Sequence, residues 1–144
     1  MDVPAQHLDR AFDEALIRGA VLRTDVQFTS GTKPKYLIVL NHDPHDADSL
    51  VFLTTSHVAF YDKHPQVDHI RVRAGELSCF PVETVINCRE VEVFSRAALK
   101  VKYRRQLLDF RGQLPQPLLD NIDRFVVNSR VIPLRFKRLI MGWP

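Results

Sequence analysis

The side chains best able to do chemistry in this chain fall in a few short stretches. His57 directly follows Thr54-Thr55-Ser56, and an imidazole with an ordinary pKa of about 6.5 suits proton transfer near neutral pH. A histidine in a loop is more often simply exposed. Arg71 and Arg73 alternate along His69–Arg73, which puts both guanidiniums on one strand face where a phosphate backbone could lie. Lys100-Val101-Lys102-Tyr103-Arg104-Arg105 interleaves cations with an aromatic ring. Such a ring can stack on a base while the cations hold phosphates, although on an amphipathic helix the same pattern turns Tyr103 inward and the charges outward.

Two other stretches point elsewhere. Asn41–Asp48 collects His42, Asp43, His45, Asp46 and Asp48, but a metal needs three or four ligands converging in fixed geometry. Pro44 and the polar setting read as a hydrated loop tip, so no metal is expected. Cys79 and Cys88 lack the paired spacing of a zinc ribbon and read as small buried apolar groups. No glycine-rich phosphate loop is present, so nucleotide hydrolysis is unsupported and no cofactor is expected.

The elements that must position these groups follow from periodicity. Ala5, Leu8, Phe12, Ala15 and Leu16 form one helical stripe over about Pro4 to Arg18, with Asp2 and Pro4 suited to the start and Gly19 to the stop. Val21–Phe28 and Tyr36–Leu40 read as strands separated by a Thr29–Lys35 loop in which Ser30, Gly31 and Pro34 act as breakers. Leu50–Thr55, His69–Arg73, Pro81–Asn87 and Val91–Phe94 are further short strands. Beyond them Arg96–Phe110 reads as a basic helix, Pro117 to about Asn128 as an amphipathic one, and Leu134–Met141 as a short last one. The fold class expected is α+β, mainly β: a small SH3-like barrel of about five to seven strands, with an N-terminal helix and C-terminal helices. One domain is expected over residues 1–144, with 1–18 a helical extension, 19–95 the barrel and 96–144 the helical C-terminal part.

Composition narrows the partners. Hydrophobic residues make up 45% and charged residues 26% of 144 positions, which excludes wholesale disorder. No apolar run approaches the roughly 18 residues needed to span a bilayer, and no signal-peptide pattern is evident, so no membrane partner and a cytoplasmic location are expected. The net charge is only +3. Cations nevertheless crowd the second half, from Lys100 to Arg138, as a surface for phosphate backbones or an acidic protein segment would require.

The order of these features resembles the PemK/MazF toxin family over about Gly19 to Asn128. Gly19–Asp25 resembles the family's opening strand. Ser30-Gly31 with Lys33–Asn41 resembles its basic loop and second strand, and Leu50–Ser56 the third strand that ends in threonine. Val85–Val93 is similar to its late strand, and Leu114–Val127 to its C-terminal helix.

The resemblance implies a compact barrel that forms homodimers, cuts single-stranded RNA without a metal, inhibits translation and growth, and is silenced by an antitoxin protein. It places Lys35 where the family has a catalytic arginine and Thr54 at the catalytic threonine, with His57 nearby as a replacement acid or base. Arg71, Arg73, Arg89, Lys102, Tyr103 and Arg104 are the RNA-binding candidates, and Lys35 and Arg89 are expected to line one cationic trough. Three positions depart from the family pattern: Ala20 stands where an acid is common, Lys35 lacks arginine's planar fork, and Arg89 reverses the charge of a frequent aspartate. These departures leave a second reading, a non-catalytic barrel module that binds a protein target in the manner of a gyrase poison.

Overall fold

The computed structural model describes residues 3–144; Asp2, named above as a helix start, lies outside them. The first apolar stripe forms α1 (Ala5–Ala15), which buries Phe12, and Leu16 is buried just past its end. Gly19, at φ +86, then turns the chain into β1 (Ala20–Phe28).

The connection to β2 (Gly31–Val39) differs from the loop expected over Thr29–Lys35. Phe28 pairs with Gly31, so only Thr29 and Ser30 lie in the turn, and Lys33, Pro34 and Lys35 belong to the strand. Proline breaks a strand only where its missing N–H is needed by the ladder. Pro34 faces Asp25 on β1, while pairing of β2 with β3 (Asp48–Thr55) is confined to Leu37–Val39. No partner on that side requires the donor that Pro34 lacks.

β3 is the hub. One edge carries β2; the other pairs first with β6 (Glu92–Ser95) and then, at Thr54 and Thr55, with β5 (Thr84–Asn87). β4 (His69–Val72) joins β5, and β7 (Leu108–Gln113) joins β1. The seven strands are antiparallel in the order β4-β5-β3-β2-β1-β7, with β6 also on β3, and form a curled half-barrel. The fold is α+β and mainly β, with an N-terminal helix and C-terminal helices.

Strand alternation sends side chains to two apolar layers. Phe12, Leu16 and Leu99 pack with Leu22, Leu37, Val39 and Val51 on one side, beneath α1 and α3 (Arg96–Arg104). Ile38, Phe52, Ile70 and Ile86 pack on the other with Ile122 and Val126 of α4 (Gln116–Asn128) and Ile140 of α5 (Leu134–Met141). α5 occupies the range expected of it, and α4 starts one residue earlier than expected. Cys79 and Cys88 are free thiols in the second layer, as expected, and burial pushes the Cys88 pKa well up.

The helix expected over Arg96–Phe110 stops at Arg104. Gln106 takes φ 61, and Leu108–Gln113 becomes β7. Leu107 and Phe110 fit helical spacing whereas Leu108 and Phe110 fit strand alternation, and the unpaired edge of β1 decides between them. Leu107 is 60% exposed and Leu108 2%, the alternation of a strand.

Candidate functional site

Past Leu37 and Leu53 the ladder between β2 and β3 ends, and a cleft of about 130 Å³ opens beside the end of β3. Lys35 and Tyr36 line it from β2, Thr54, Thr55 and Ser56 from the end of β3, and Thr84 from the start of β5. The volume is well below the roughly 300–1,000 Å³ of enclosed small-molecule sites. A phosphate-sized anion suits it better than an engulfed cofactor does.

Lys35 is the one charged side chain lining the cleft among the described residues, and it makes no ion pair there. Burial lowers its pKa, and Lys33 lowers it further. Its ammonium stands 5.9 Å from the centre of the Phe28 ring. A partly dehydrated cation without a carboxylate partner favours an incoming anion.

The hydroxyls around it are already oriented. Thr54 Oγ1 donates to the Tyr36 carbonyl at 3.1 Å and Thr84 Oγ1 to the Val82 carbonyl at 2.9 Å. Thr55 Oγ1 accepts from the His57 backbone N–H at 3.1 Å. Each hydroxyl donor therefore keeps a lone pair for one further contact.

The structure thus places Lys35 and Thr54 on the lining of one cleft, with strand alternation turning Lys35 toward Phe28 and Thr54 to the opposite face, and sets the other candidates apart. His57 is exposed one residue beyond Ser56 and does not line the cleft. Arg71 Nη2 donates to the Val58 carbonyl at 3.1 Å and pairs with Asp62, tying β4 to α2 (Ala59–Lys63). Arg73 shares an open groove with Arg71, Glu76 and Glu83, where two cations face two carboxylates.

On α3 the charges are largely committed. Arg104 grips both carboxylate oxygens of Asp9 at 2.6 Å, and Arg96 and Lys100 both reach Asp13, at 2.7 and 3.0 Å. Lys102 Nζ donates to the Asp25 carbonyl at 3.2 Å. Tyr103 packs on Phe12 and Phe110, with ring centres 5.8 and 5.5 Å away. Its ring is turned into the core, the inward arrangement an amphipathic helix allows.

The trough expected to join Lys35 and Arg89 is not formed. Thr84, the first residue of β5, lines the Lys35 cleft, whereas Arg89 follows the opposite end of that strand and lines a separate groove with Asp68 and Arg130. About 10 Å of strand lies between Thr84 and Asn87. The charge reversal at Arg89 therefore acts away from Lys35. Ala20 is buried in β1 and touches neither site.

Sequence reasoning missed Thr84 as a cleft residue. Its place in a strand was legible, but its neighbours in space come from β2 and β3, and no local spacing encodes that pairing. The acidic stretch after β2 serves the loop itself. Asn41, 2% exposed, donates to Asp46 and to the Asp48 carbonyl and accepts from the Leu50 N–H. No group of three or more metal-ligating side chains converges among the described residues. No protein-family model matches the chain, and no curated protein matches it.

Proposed function

We propose that this chain is a toxin-type barrel that acts on single-stranded RNA, with the Lys35 cleft receiving a backbone phosphate and cleavage proceeding without a metal. The observation that carries the reading is a partly buried lysine, Lys35, without an acidic partner, lining a phosphate-sized cleft together with three hydroxyl residues, Thr54, Thr55 and Ser56. In RNA cleavage the 2′-hydroxyl attacks the adjacent phosphorus and the 5′-oxygen leaves. The attacking oxygen loses a proton and the leaving oxygen gains one. His57, exposed one residue past the lining Ser56, takes the first proton by turning into the cleft when RNA binds. Lys35 neutralises the charge on phosphorus and, with its pKa lowered, gives a proton to the leaving oxygen. Thr54 holds a phosphate oxygen only by turning its hydroxyl proton from the Tyr36 carbonyl to the incoming anion. The physiological outcome of this chemistry is inhibition of translation and growth in the cytoplasm by a homodimer, relieved by an antitoxin.

One observation favours the second reading, a non-catalytic module that binds a protein. No imidazole or carboxylate lines the cleft among the described residues, and the Thr54 proton is committed to the Tyr36 carbonyl.

Incubating the purified protein with mixed single-stranded RNAs in EDTA separates the two. The nuclease reading expects discrete cuts that Lys35→Ala and His57→Ala each reduce by about a hundredfold or more, the usual share of a positioned acid or base. Intact RNA together with growth arrest on expression would establish the second reading instead.

A further inference from the structure

The Lys35 cleft has two sides, and strand alternation assigns its lining to them. On β2, Ile38 and Tyr36 face the layer covered by α4 and α5, and Leu37 and Val39 face the other. Pro34 therefore shares the face of Tyr36, while Lys35 points the opposite way, toward Phe28. On β5, Ile86 faces the α4–α5 layer, so Thr84 does too. β3 lies between β5 and β2 in the sheet, so Pro34 and Val82 flank the end of β3 from opposite sides of the cleft.

The lining on the side away from Lys35 is uncharged; Arg23 and Asp25, paired with Tyr36 and Pro34 on β1, lie outside it. Pro34 and Val82 are exposed, Val82 at 55%, and neither side chain has a hydrogen-bonding group. A lone exposed valine is ordinary on a protein surface, but this one stands between two anchors. Phe80, fully buried, meets the Tyr36 ring edge-on at 5.4 Å, and the Thr84 hydroxyl donates to the Val82 carbonyl at 2.9 Å. Two strand spacings, roughly 10 Å, separate β2 from β5. Between short side chains such as proline and valine, that gap leaves a slot for a flat ring.

A cation on one side and a neutral, apolar slot on the other suit a ligand divided in the same way, a phosphate joined to an uncharged ring. We propose that the Pro34–Val82 slot receives the sugar and base of the nucleotide whose phosphate meets Lys35, and contacts the base by its face. Thr84 is a positioning residue that acts through Val82. The inference rests on the RNA reading of the same cleft and adds a base-tolerant subsite to it. Side chains without donors or acceptors gain contact with any base and read the edge of none. The same chemistry describes one unit of a strand and a free mononucleotide.

The test measures binding to the full chain, by fluorescence anisotropy at low salt, of short labelled DNA oligomers, which lack the attacking 2′-hydroxyl and stay intact. The comparator is an abasic oligomer of the same length, with every phosphate and no base. The base-bearing strand should bind on the order of tenfold tighter, and homopolymers of A, C and T should bind alike. Val82→Ser should remove most of that difference while leaving abasic binding and the melting temperature unchanged, and Val82→Tyr should widen it. Lys35→Ala should weaken both oligomers alike. A strand that outcompetes mononucleotides assigns the slot to RNA; a mononucleotide that binds as tightly, with the same dependence on Val82, assigns it to free nucleotides. Equal binding with and without bases, or a Val82→Ser loss shared by the abasic strand, would overturn this inference and leave the RNA reading in place. Absence of RNA cleavage with base-dependent binding retained would remove the nuclease and keep the slot, and a chain that binds neither oligomer would end both.

Discussion

At Lys35 the fold holds a charge that its surroundings disfavour. Burial, then Lys33, sets its pKa below the ordinary 10.5, so at neutral pH the charged form is less comfortable in the folded chain than in the unfolded one. For a base lowered in this way, the destabilisation is present in full below the folded pKa. It disappears as pH rises past the unfolded one. Lys35→Met should therefore raise the melting temperature near pH 7, with the gain shrinking as pH approaches about 10.5, while RNA binding at low salt falls. Asn41 is the opposite case, a buried amide with every group engaged. Asn41→Ala would leave the Leu50 N–H and the Asp48 carbonyl without partners, and urea unfolding should report a loss of about 2 kcal/mol.

Between elements, the pairing of α1 with α3 shows how a charge run in the sequence becomes a neutralised surface in the fold. Lys100 and then Arg96 hold the Asp13 carboxyl below its ordinary value of 3.8. A carboxylate lowered in the fold contributes stability above its unfolded pKa and loses it as pH falls through the folded one. Asp13 is 39% exposed, so Asp13→Asn should cost less than about 1 kcal/mol near pH 7. The gap between variant and parent, followed by urea melts, should close as pH drops below about 3.8. β7 carries the complementary lesson. Residues that continue the helical spacing of α3 leave it because β1 has an edge to fill, and the backbone hydrogen bonds offered there outweigh a weak local preference.

For the whole molecule, the curled sheet is held between two apolar layers, and α1 reaches the first of them through Phe12. The ring is fully buried, with ring centres of Tyr103 and Phe110 at 5.8 and 5.9 Å and the cations of Arg96 and Lys100 at 5.4 and 5.7 Å. Phe12→Ala should lower stability by about 3–5 kcal/mol in denaturant titration, since the cavity cannot close without moving three elements. The same layering explains the separation of cationic sites. α3 spends its arginines and lysines on α1 and on the backbone of β1, and β5 keeps Arg89 away from Lys35. Two unrelated grooves are left where the linear charge pattern suggested one face.

By itself the sequence determined the elements whose periodicity is long or clean: α1, α4, α5, most strands of the sheet, the burial of both cysteines and the mainly β class. These follow from side-chain spacing, a property the chain carries locally. Only the tertiary structure decided that Pro34 lies within a strand, that residues 108–113 pair with β1, that Tyr103 faces inward, and that Thr84 rather than Arg89 stands beside Lys35. Each of those outcomes depends on which backbone edge or carboxylate a distant segment presents. Contacts between distant segments are fixed by packing and pairing energies of the whole fold, and no short window of residues encodes them.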